Sequence, residues 1–134
     1  MIIISQPKLE VRENEVLVSS CIEDDKKHFR ETIFYKTSAT YRPYVVTEKA
    51  DLFVLSALMP ALFSQSDIRV EGTLSSDLKY ALENGLIYIL AKTYGVRPIK
   101  VHAERIETFE FGGKAVGAGC SMGVDSLATI KQIG

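Results

Sequence analysis

Polar and apolar residues alternate over a first short stretch of the chain, an apolar stretch follows, and the pattern then changes. Residues 8–12 alternate and residues 16–22 are mostly apolar, and the two segments flank Glu13, Asn14 and Glu15, which predicts two antiparallel strands joined by a tight turn. A second polar turn, Asp24, Asp25, Lys26 and Lys27, leads to a third strand over residues 32–37 and completes a meander. Residues 52–63 (LFVLSALMPALF) carry no charge and fall well short of the roughly 20 residues that span a bilayer. They predict a buried helix, started by a cap at Thr47 and ended or kinked at Pro60, which lacks a backbone donor.

The second half changes period twice more. Residues 68–71 predict a short strand, and Ser75 or Ser76 caps a second helix that carries Leu78, Leu82, Leu86, Ile89 and Leu90 on one face. Gly95 is placed to end that helix in a left-handed cap. Gly85, in its middle, costs about 1 kcal/mol relative to alanine, so its small size is expected to serve close packing against a strand. Ile99, Val101 and Ala103 alternate with Lys100, His102 and Glu104, which predicts a half-buried strand with His102 on its polar side. The fold class is therefore α+β, with antiparallel strands and two main helices in a leading domain over residues 1–111.

Composition narrows the function classes. At 134 residues, 46% hydrophobic and 25% charged, the chain has the balance of an ordinary globular domain. A net charge of −1 without a dense Lys/Arg block gives no positive argument for nucleic acid or an anionic membrane as partner. The aromatic residues Phe34, Tyr35, Tyr41 and Tyr44 suggest a stacking face, but only Lys36 and Arg42 lie beside them, and core or edge packing is the expected use. Cys21 and Cys120 are too few and too distant for a zinc cluster and are expected to be reduced thiols. The N-terminal apolar run is too short for a signal-peptide core, so a cytoplasmic location is the default.

Candidate chemistry concentrates near the C-terminus. Residues 114–118 are small and apolar, as in a buried strand, and Leu127, Ile130 and Ile133 recur at helical spacing. Strand, turn and helix are predicted in succession. Gly119, Cys120, Ser121, Met122 and Gly123 lie in the turn, and the helix that follows would direct unpaired N–H groups toward it, the outline of an anion site. The same residues satisfy G-x-S-x-G, a nucleophile elbow with Ser121 as nucleophile. That chemistry needs a histidine base after the serine, whereas His28 and His102 both precede it. A structural alternative also exists: the glycines serve tight packing, and Asp125 with Ser126 starts a helix.

Ser121-Met122-Gly123-Val124-Asp125-Ser126 resembles the S-G-G-x-D-S signature of the PP-loop ATP pyrophosphatases, and residues 67–104 resemble the region that precedes the loop in some of these proteins. Together the two likenesses span about half the chain. They imply that residues 112–134 open a Rossmann-like PP-loop domain, and that the chain is the N-terminal part of a longer adenylating enzyme. Such an enzyme splits ATP to AMP and pyrophosphate and activates a small-molecule substrate for nitrogen or sulfur transfer. The cofactors implied are ATP and magnesium, with Ser121, Met122, Gly123, Val124, Asp125 and Ser126 at the pyrophosphate and Asp125 engaging the magnesium. Met122 departs from the pattern, because glycine is expected there. The different-class alternative is a non-catalytic binding or interaction domain. No membrane partner is implied, and self-association is compatible with this reading.

Overall fold

A computed structural model describes residues 1–110, 112–113 and 121–133. Six strands form one mixed sheet: β1 (Ile2–Ser5), β2 (Lys8–Val11), β3 (Glu15–Asp24), β4 (Phe29–Ser38), β5 (Ile68–Ser75) and β6 (Val101–Glu107). The helices are α1 (Asp51–Ser64), α2 (Ser76–Ala81), α3 (Ile87–Tyr94) and α4 (Val124–Ile133), with a 3₁₀ turn at Ala39–Tyr44 and a π-helical segment at Leu82–Leu86. The α+β class predicted from the pattern is the one observed. The strand expected over residues 114–118 lies outside the described residues.

The meander forms as predicted but is longer, because β3 and β4 pair over ten residues each, from Glu15 opposite Ser38 to Asp24 opposite Phe29. The other edge of β3 is shared. β1 pairs antiparallel with its far end, Ile4 opposite Ile22, and β2 pairs with its near end, Lys8 opposite Ser19. Between them Ser5 fills the gap: its hydroxyl accepts from the Cys21 amide at 2.9 Å, and its carbonyl accepts from the Ser20 hydroxyl at 2.8 Å. β1 also pairs in parallel with β5, and β5 in parallel with β6, so the sheet changes from antiparallel to parallel at β1. The apolar N-terminus was read from sequence only as too short for a signal core, and it is in fact a central strand.

Helices cover one face of this sheet. Ile2, Ile4, Val18, Ile22, Ile68, Val70 and Val101 meet Phe53, Val54, Ala57, Leu58, Ala61 and Leu62 of α1, with Leu82, Ile87 and Ala91 from the second helical segment. Helix α1 is buried on that side only, and Leu52, Leu55 and Phe63 remain about half exposed on its outer side. Its N-cap is Ala50 rather than Thr47, its chain runs through Pro60, and it ends at a left-handed Gln65. Packing of six buried side chains outweighs the single hydrogen bond that proline removes. Ser75 and Gly95 cap as expected, the serine hydroxyl accepting from the Leu78 amide. Between those caps the helix is interrupted by the π segment that contains Gly85. A Cβ built at Gly85 meets nothing within 4 Å, so the expected close packing against a strand is not its role.

Candidate functional site

The predicted turn places its residues together at the start of α4. The Ser121 amide donates to the Ser126 hydroxyl at 3.2 Å, the two hydroxyl oxygens lie 3.1 Å apart, and the Gly123 carbonyl accepts from the Leu127 amide. Met122 has a φ of 62°, the left-handed conformation for which glycine is the easy residue, and its side chain is 74% exposed. Asp125 and Val124 are also exposed. One of the amides proposed for anion binding is thus consumed within the turn. Gly119 and Cys120 lie outside the described residues.

Elsewhere the described residues bring together two groups that no sequence pattern marked. At the end of β5, the Asp51 carboxylate accepts from both the amide and the hydroxyl of Ser75, and Lys49 lies 3.5 Å from the same carboxylate while stacking 4.8 Å over the Phe109 ring. Ser75 is 4% exposed and its oxygen also caps α2. A serine so enclosed and doubly bonded locks the start of α1 to the end of β5; it is not presented as a nucleophile.

The second group is a pocket of about 440 Å³ between the β3–β4 hairpin and the C-terminal half of α1. Ile2, Ile22, Phe29, Ile33, Ala57 and Pro60 supply its apolar walls, and Asp24, Lys27, Ser56 and Ser64 its polar groups. Period-two alternation explains the placement: Ile22 and Asp24 of β3 point to the helix side, opposite Glu31 and Phe29 of β4. Tyr35 lies next to this group, its hydroxyl 2.6 Å from Ser56 and its ring edge-on to Phe53. Asp24, read from sequence as a turn residue, is the last residue of β3 and only 6% exposed. Extending the alternation of Val16, Val18, Ser20 and Ile22 by one step is the signal that would have turned it inward.

The four aromatics do not form one stacking face. Phe34 is 57% exposed on the uncovered side of the sheet, Tyr35 lies on the helix side, and Tyr41 and Tyr44 belong to the 3₁₀ turn. His102 is exposed on the polar side of β6 as predicted, and His28 occupies the hairpin turn with a positive φ of 49°. Among the described residues no cluster of three or more His, Cys, Asp and Glu side chains is arranged to hold a metal ion, and no helix is long and apolar enough to cross a membrane.

Comparisons with known proteins correct the reading drawn from the loop. No family model matches the chain, and no curated protein matches it. Among solved structures, the chain is similar to the fowlpox virus resolvase crystallised with its substrate Holliday junction DNA, at 16% identity and a TM-score of 0.24. The match covers 85% of this chain and 66% of the resolvase, so the chain spans just under two thirds of that neighbour's length. These findings overturn the PP-loop assignment and the ATP-dependent adenylating activity that went with it. The expectation that nothing points to nucleic acid is withdrawn as well, since the neighbour is a DNA-bound protein. So low a TM-score gives this chain neither the resolvase's fold nor its partner. The physical reason for the original error is plain: a six-residue turn with two serines, a glycine and an aspartate is also what an ordinary helix start requires.

Proposed function

We propose that this domain is a binding module that takes a small, mainly apolar ligand between the β3–β4 hairpin and α1. The observation that carries the reading is the pocket of about 440 Å³, with apolar side chains on three strands and one helix and a few polar groups among them. Ligand sites of about 300–1,000 Å³ with this mixture are the ones that bury most of a small molecule and orient it through a few polar contacts. Each buried methylene of such a ligand is worth about 0.8 kcal/mol. The walls belong to paired strands and to a helix fixed by Asp51, so the cavity is pre-formed and little ordering accompanies binding.

Methyl NMR tests the reading. Titrating the 134-residue chain with a set of small aryl-alkyl compounds should shift the Ile2, Ile22 and Ile33 methyl signals together. The Ser64→Trp variant, which fills the cavity from the half-buried end of α1, should lose the shifts while keeping its fold. Shifts that survive in Ser64→Trp, or that concentrate elsewhere, count against this site.

A further inference from the structure

The inference concerns the head group that the pocket selects, and it rests on the binding reading above. Asp24 is only 6% exposed, at the end of a central strand and in the wall of a mainly apolar cavity. One backbone amide, that of Lys26, donates to its Oδ1 at 3.0 Å. Among the described residues no lysine, arginine or terminal ammonium forms an ion pair with it. The Met1 ammonium is engaged by the adjacent Asp25, Arg30 donates to Cys21 on the opposite face of the sheet, and Lys27 lines the cavity without reaching the carboxylate.

A largely buried carboxylate with one oxygen bonded to a single amide is stabilised when a cation or further donors meet the other oxygen. Among the described residues the protein supplies neither at Oδ2, which keeps its contact with solvent on the cavity side. The apolar lining favours a hydrocarbon body next to that oxygen, and the two demands are met by one molecule. We infer that the pocket binds a small primary amine, with its ammonium on Asp24 and its apolar body against Ile2, Ile22, Ile33 and Ala57. Ser56 and Ser64 remain engaged with the Leu52 and Ala61 carbonyls of α1, so the head group is set by Asp24. Lys27 at the same cavity raises the cost of a second cation there and limits the ligand to a single positive charge.

Three probes of one shape separate the possibilities: 4-phenylbutylamine, 4-phenylbutanol and 4-phenylbutyrate, titrated into the full chain and followed by the Ile methyl signals. The amine should bind at least about tenfold more tightly than the alcohol, a difference of about 1.4 kcal/mol. Asp24→Asn, which keeps the shape, should bring the amine down to the alcohol's affinity. Lys27→Met should leave amine affinity unchanged or raise it, which keeps the inference open to test even if Asp24→Asn does not fold. Equal binding of amine and alcohol, as when water alone satisfies the carboxylate, overturns the amine assignment and leaves the pocket in place. Preference for the butyrate, lost in Lys27→Met, overturns it too. If none of the three binds, both the head-group inference and the binding module fail.

Discussion

Gly72→Ala should weaken the fold chiefly through one side chain, Gln6. Residue 72 sits where the β5–β6 register shifts, between Val70 and Thr73, and an added Cβ would come within 2.0 Å of Gln6 Oε1. That oxygen accepts from the Thr73 amide at 2.9 Å, while Gln6 Nε2 donates to the Thr47 carbonyl at 2.7 Å. Gln6 therefore ties β1 both to β5 and to the segment that leads into α1. The glutamine end can swing away sterically, but both bonds are then lost, at about 1 kcal/mol each, and the amide of Thr73, a residue only 4% exposed, is left without its acceptor for about 1–3 kcal/mol more. The lower entropy of alanine in the unfolded chain offsets about 0.4–1 kcal/mol. A net loss of about 2–5 kcal/mol follows, on the order of 10 °C in Tm for a domain of this size. Urea denaturation followed by circular dichroism gives the value. A double-mutant cycle tests the cause: in a Gln6→Ala background, Gly72→Ala should cost clearly less than it does in the parent protein. Full cost retained in that background would refute the argument, since the clash would then lie elsewhere.

Asp51→Ala should destabilise by about 2–4 kcal/mol in urea denaturation, because it strips the acceptor from the Ser75 amide and hydroxyl and leaves Lys49 without its carboxylate. Gly85→Ala should raise stability by about 0.5–1 kcal/mol, since its Cβ meets nothing and the π segment has helical backbone angles on both sides. The Met1 ammonium donates to Asp25 and holds its carboxyl below the usual aspartate range. A folded pKa below the unfolded one means a contribution fully present above about pH 3.9 and lost as pH falls through the lowered value. Carboxyl NMR titration should show the depressed midpoint, and blocking the amine by acetylation should raise it, with the smaller contribution of Lys26 left in place.

How much of this was legible varies by element. The β3–β4 hairpin, the Ser75 and Gly95 caps and the outward His102 were readable because each depends on residues a few positions apart. β1 was not, because four residues carry too little pattern to show strand character until β3 and β5 offer edges on both sides. Pro60 misled for a related reason, since its local penalty is visible in sequence while the packing that overrides it is not. Asp24 was the costliest miss. Two aspartates and two lysines in a row read as a solvated turn, and only the pairing with Phe29 shows that the strand continues through the first of them. The turn at residues 121–126 failed in the opposite direction, since a short match was clear but common to sites and plain helix starts alike.

By itself the sequence determined the α+β class, the meander and the ends of the second helical segment, since hydrophobic period, turn residues and caps act over short distances along the chain. The tertiary structure decided which strands are neighbours, that α1 buries one side and leaves the other open, and that Asp24 lines a mainly apolar cavity rather than a solvated turn. Those outcomes depend on contacts between residues tens of positions apart, as in Ile2 beside Ile68 and Gln6 beside Thr73. Local preferences carry no information about such pairings; they are fixed only when the whole sheet and its covering helices close around one core.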